Sequence, residues 1–197
     1  MRVLLMAGCL ALPGTLALAQ ACPVASDLEK GIRFTVDGTD TEVYRRVGPD
    51  MIEAIYSAAD DYQSRSMLAQ GVYLVELVDL VEGAPDLSTR TTYAFAQRAE
   101  ELMMPEAGRS VTYDLVVNSD GDLNQERQSY SFDQPAKINF GACEYEMIQI
   151  EIRYDPDEAE TVDLLYYLPE LGFSYYAGSD YLEGSDRYIY SNIEVVE

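Results

Sequence analysis

The stretch KINFGACEYEMIQIEIRYDPDEAETVDLLYYLPELGFSYYAG, residues 137–178, decides the fold. From Cys143 to Tyr154, Tyr145, Met147, Ile150, Ile152 and Tyr154 are set against Glu144, Glu146, Gln149, Glu151 and Arg153. That alternation is what a half-buried strand requires. The parity of the apolar positions changes between Met147 and Ile148, which predicts a β-bulge there if one face of the strand stays on the core. The charged DPDEAE, residues 155–160, closes a turn, after which Val162, Leu164, Tyr166 and Leu168 share one face of a second strand. A proline-glycine corner, Pro169 to Gly172, then leads into a third strand from Phe173.

Working outward, the same grammar recurs. Ile32–Val36 and Thr41–Val47 flank Asp37-Gly38, a hairpin signal because glycine accepts the positive φ of tight turns. Val111, Tyr113, Leu115 and Val117 alternate, Asn118–Asp122 turns the chain, and Asn124–Phe132 returns. Val72–Val81 is apolar on both parities apart from Glu76 and Asp79, as expected of a strand covered on both faces or near the middle of a curved sheet. Helical signals are brief. Ser26 to Glu29 can form one turn that Gly31 ends, and Ala96–Met104 a turn or two that Pro105 and Gly108 end. With about a dozen strand candidates and no long helical period, the expected fold is all-β: a single strongly curved antiparallel sheet, a half-barrel, with at most short helical turns.

In the C-terminal half, Phe140-Gly141-Ala142-Cys143 enters a strand, and Tyr167-Leu168-Pro169-Glu170-Leu171-Gly172-Phe173 follows the charged turn. This resembles the end of uncharacterised exported half-barrel domains of Gram-negative bacteria. Those domains are similar in shape to periplasmic lipoprotein carriers, in which a curved antiparallel sheet wraps an apolar cavity. The resemblance covers residues 137–178; it implies fold and compartment and brings no catalytic residues.

The N-terminus, MRVLLMAGCLALPGTLALAQ, has one basic residue, an apolar run and then Ala17-Leu18-Ala19, the pattern of a cleaved signal peptide. Pro13 and Gly14 interrupt the run, which falls short of the ~20 apolar residues a membrane span needs. Residues 1–19 are therefore expected to be a signal peptide and 20–197 a single β domain in the periplasm. Removing the leader takes away one positive charge, Arg2, and brings the formal net charge from −22 to −23. So negative a chain repels nucleic acid and anionic membrane surfaces. Of three cysteines, Cys22 and Cys143 remain after cleavage, and an even pair in an oxidising compartment predicts a disulfide.

The chain has no histidine, which removes the usual general base of nucleophilic triads and the usual zinc and copper ligand sets. It carries no phosphate-binding or dinucleotide-binding glycine pattern, so no cofactor is expected. Calcium would suit an acidic exported protein. Counted from Asn118, however, an EF-hand needs glycine at position six and an acid at position twelve, and these are Leu123 and Ser129. A hairpin turn accounts for the same residues, and no metal site is expected. A carboxylate-based hydrolase stands third among the functions, because 35 acids single out no pair.

Of sixteen tyrosines, Tyr166, Tyr167, Tyr175, Tyr176, Tyr181, Tyr188 and Tyr190 crowd toward the C-terminus. Most serve as cross-strand sheet residues. A sharper expectation is that Val162, Leu164, Tyr166, Phe173 and Tyr175 line the concave face. The expected function is a non-enzymatic periplasmic binding or accessory module for an apolar ligand or a protein partner; the alternative is a carrier of lipid or another apolar molecule in the concave face.

Overall fold

The computed structural model describes residues 21–157 and 159–197; the expected leader, residues 1–19, lies outside them. Among the described residues the regular structure is β1 (Ile32–Val36), β2 (Asp40–Gly48), β3 (Met51–Ser57), β4 (Gln63–Ala69), β5 (Tyr73–Val81), β6 (Ala84–Pro85), β7 (Thr91–Phe95), β8 (Ser110–Ser119), β9 (Asp122–Phe132), β10 (Ala136–Phe140), β11 (Cys143–Asp155), β12 (Val162–Leu168), β13 (Phe173–Tyr181), β14 (Gly184–Arg187) and β15 (Tyr190–Val195). Two 3-10 turns, Ala25–Glu29 and Ala99–Glu101, are the helical content, as the two short signals implied.

The strands form one antiparallel sheet in the order β14-β13-β12-β11-β9-β8-β7-β5-β4-β3-β2-β1-β15, with β10 added on β11 and β6 on β5. The ladder is open, ending at β14 and β15. Only Tyr188 and Ile189 separate those two strands along the chain. The Tyr188 N–H donates to the Ala177 carbonyl and the Asp37 N–H to the Ile189 carbonyl, so one C-terminal run lies first along β13 and then along β1.

A sheet this wide curls, because each strand's twist adds to the next. Here it rolls until its ends overlap. Phe34 of β1 meets Phe140 of β10 at a centroid distance of 5.0 Å and Tyr175 of β13 at 5.8 Å, while Tyr44 of β2 stacks on Phe173 of β13 at 4.2 Å. These rings join Leu28, Ile32, Leu164, Leu168 and Leu171 in one buried cluster. A second cluster lies between β5, β8, β9 and β11, where Tyr73 packs edge-on against Tyr113 and Tyr130 at 5.5 and 4.9 Å.

Strand β11 explains the parity change. Cys143, Tyr145 and Met147 belong to the first cluster, whereas Ile148, Ile150 and Ile152 belong to the second. Its register is regular against both β10 and β12, so the expected bulge is absent. Instead the covered face changes along an unbroken strand. The shift occurs next door: between Leu164 and Leu165 the β12–β13 pairing skips Ala177.

Turns follow the chemistry of their residues. Asp120 and Gly121 join Ser119 to Asp122 with φ of 53° and 84°, the two positive values of a type I′ hairpin. The acidic run at 118–124 is thereby a turn. Gly71 has φ of 67°, and a Cβ there would stand 2.4 Å from the Gly172 carbonyl oxygen. Only glycine lets the β4–β5 turn approach β13 so closely, where the Ser174 N–H donates to the Gly71 carbonyl at 2.8 Å.

Cys22 and Cys143 form a disulfide across 121 residues. It pins the N-terminal segment to the start of β11. The Tyr145 hydroxyl adds a hydrogen bond to the Pro23 carbonyl at 2.8 Å, and burial pushes that phenol up to about 12.

Candidate functional site

Successive side chains of a strand point to opposite faces, and β12 and β13 use both. Val162, Leu164, Phe173 and Tyr175 point into the first buried cluster, with Tyr166 packed against it. These are the five residues expected to line a ligand site; the structure places them in the packed core instead, under Phe34 and Tyr44. The reason is physical: the most apolar face of the strands gains most from being covered, and β1, β2 and β10 cover it. The alternate residues, Asp163, Leu165, Ser174 and Tyr176, line a cavity of about 840 Å³.

That cavity occupies the concave face. Its wall draws on β1–β5, β7, β9 and β11–β13, with Tyr188 and Tyr190 from the C-terminal run. Tyr44, Tyr130, Tyr154 and Tyr190 are buried or partly buried around it, whereas Tyr62, Tyr176 and Tyr188 are exposed near its rim. Small residues make the room. Ala54, Ser64 and Ser66 stand on the inner face of β3 and β4, where bulky side chains would have filled it. A smaller recess of about 670 Å³ opens beside Phe95 and Leu115, and its Arg127 is already paired with Asp114 at 2.8 Å.

Most of the cavity's tyrosine hydroxyls are tied to carboxylates. Tyr44 and Tyr190 both donate to Glu42 Oε2, at 2.7 and 2.6 Å. Tyr154 donates to Asp163 at 2.5 Å, and the Ser179 hydroxyl donates to the other oxygen of that carboxyl. Tyr56 donates to Asp40, and Tyr62 to Asp79 at 2.8 Å. Tyr130 reaches Glu126 through Gln128, whose amide accepts from the phenol and donates to the acid. Burial first, and the Glu42 carboxylate second, hold the Tyr44 and Tyr190 phenols well above their ordinary range. They therefore remain donors at neutral pH, and their rings are fixed by their hydroxyls.

Charge in the wall is of one sign. Glu42, Asp60, Glu126 and Asp163 line it, and among the described lining residues there is no lysine or arginine. Arg65 and Arg90 both pair with Glu76, at 2.6 and 2.5 Å, but Arg65 alternates with the cavity-facing Ser64 and Ser66 and so turns away. Sequence reasoning missed Glu42, Asp163 and the serines. For Glu42 and the serines the signal was present in Glu42, Ala54, Ser64 and Ser66, small or polar residues on a face that ordinarily carries large apolar ones when covered.

Glu42 gives the cavity a pH signature. Burial raises its carboxyl above the usual 4.5, against the opposing hydrogen bonds from Tyr190 and Tyr44. A carboxyl with a raised folded value holds its proton more tightly folded than unfolded. Its contribution is therefore complete below the unfolded value and is lost as pH rises through the folded one. Unfolding free energies from urea titrations are expected to fall more steeply above pH 4.5 in the parent than in Glu42→Gln. Asp40, whose carboxyl is lowered by the Tyr56 hydrogen bond, acts in the opposite sense and is unchanged in both proteins. A gap between the two proteins that stays constant with pH would refute the assignment.

Among the described residues no helix is long and apolar enough to cross a membrane. No family model matches the chain, and no curated protein matches it in sequence. Two solved structures are similar to it. One is the hypothetical lipoprotein YmcC from Escherichia coli, 11% identical with a TM-score of 0.43, covering 81% of this chain and 86% of that one. The other is an exported protein with a YmcC-like fold from Bacteroides fragilis, 14% identical with a TM-score of 0.36, covering 84% and 96%.

Proposed function

We propose that this protein is a non-enzymatic, exported binding module that holds one small molecule in the concave face of its sheet. The observation that carries this is the cavity of about 840 Å³, kept open while the apolar faces on either side of it are closely packed. Ligand sites are commonly concave, apolar and aromatic, with a few convergent polar groups, and this wall has that character. The disulfide and the leader-like N-terminus support a periplasmic location. The non-enzymatic part rests on a chain without histidine, whose innermost cavity acids, Glu42 and Asp163, are engaged in holding tyrosines. A purely apolar lipid suits the wall less well, because it would leave the wall's carboxylates without a counter-charge.

Native mass spectrometry of protein taken from the periplasm without detergent tests the reading. The expected spectrum shows an adduct of a few hundred daltons that leaves on collisional activation. It is expected to vanish in Ser66→Phe, which fills the cavity from its small-residue wall. An adduct of equal abundance in both proteins, or only the bare chain mass in each, would overturn the reading.

A further inference from the structure

From the one-signed wall of this cavity we infer that its ligand is an organic cation, an amine or quaternary ammonium carried on an apolar body. The inference rests on the concave face being a binding site and names what that site selects.

Three observations lead to it. First, the wall combines four carboxylates with tyrosine rings and, among the described lining residues, holds no basic group. Charge in the wall is left for a ligand to balance. Second, the innermost acids have their hydrogen bonds: Glu42 has two phenol donors, and Asp163 has a phenol and a serine hydroxyl. What they lack is a counter-charge, and an ammonium group supplies that even where it has no N–H to donate. Third, hydroxyls held by carboxylates keep the rings of Tyr154 and Tyr190 in place around the cavity, and ring faces attract cations. A phenol that donates to a carboxylate pushes electron density into its ring, which strengthens that attraction. The net charge of −22 adds a long-range field that draws cations in and turns anions away.

The other ligand classes fit less well. An anionic lipid headgroup meets four acids and no lysine or arginine in the described wall. A neutral apolar molecule leaves the charge of Glu42 and Asp163 without a counter-charge. Only a cation both neutralises the wall and uses its aromatic faces.

The test is a charge series at constant size, read by calorimetry and by tyrosine chemical shifts on the full chain. The probes are benzyltrimethylammonium, benzyl alcohol and phenylacetate. The cation is expected to bind at least ~10-fold more tightly than the alcohol, and the anion more weakly still. In Glu42→Gln/Asp163→Asn the preference for the cation over the alcohol is expected to shrink by at least ~10-fold. Should that double variant fail to fold, raised sodium chloride serves in its place. Salt is expected to weaken the cation and leave the alcohol alone. Equal binding of all three probes, with the shifts mapping to the cavity, would overturn the cation assignment while leaving the binding module intact. No binding of any probe, with the tyrosine shifts unmoved, would overturn both.

Discussion

Replacing Phe34 with alanine is expected to lower the unfolding free energy by about 3–5 kcal/mol, the range for truncating a fully buried phenylalanine. The site leaves little scope for collapse. Phe34 touches rings of Tyr44, Phe140, Phe173, Tyr175 and Tyr190, from four other strands. None of these can move into the gap without leaving its own ladder. The loss also has a particular place. Phe34 belongs to β1 and Phe173 and Tyr175 to β13, so the substitution loosens the overlap that keeps the sheet rolled. Urea unfolding measures the energy, and amide exchange locates it. Protection is expected to fall first in β1, β15 and β13, while β8 and β9 stay closed. Phe34→Leu should recover much of the stability, because it restores most of the volume. A loss under about 1 kcal/mol would mean that the overlap does not hold the roll.

Removing the disulfide is expected to have a comparable effect by a different route. In the chain-entropy model a cross-link over 121 residues contributes about 4–5 kcal/mol by restricting the unfolded chain. Cys22→Ser/Cys143→Ser should therefore unfold at much lower urea, and parent protein in reductant should follow the same curve. The folded state itself should change little. The Tyr145 bond to Pro23 and the burial of Leu28 still seat the N-terminal segment on β11. Near-ultraviolet circular dichroism checks this, since Tyr145 and Phe140 lie 6.1 Å apart beside the bridge and should keep their signal. If the tyrosine signal collapsed at low denaturant, the bridge would be acting on the folded state rather than on the unfolded chain.

Much of the fold was legible because it depends on neighbours in the chain. Asp37-Gly38 and Asp120-Gly121 mark turns through backbone preferences that act within four residues, and both turns are where the dipeptides put them. Alternation along β8 and β12 needs only one covered face. It failed at β11, where the apolar parity reverses because two different packing partners cover the two faces of one strand. Nothing within thirteen residues says which partner will arrive. The cavity was misplaced for the same reason. Val162, Leu164 and Phe173 are the more apolar choice on β12 and β13, and apolar faces are where packing closes rather than where space remains.

The sequence by itself determined the all-antiparallel architecture, the turn positions and the pairing of Cys22 with Cys143, since each follows from local periodicity, turn chemistry or a count of thiols. Only the tertiary structure decided which face of each strand looks inward and that Glu42, Tyr190 and Asp163 belong to one wall. Glu42 and Tyr190 are 148 residues apart in the chain and share a hydrogen bond. Such a contact is set by how far the whole sheet curls, a sum of small twists over all its strands that no single segment encodes.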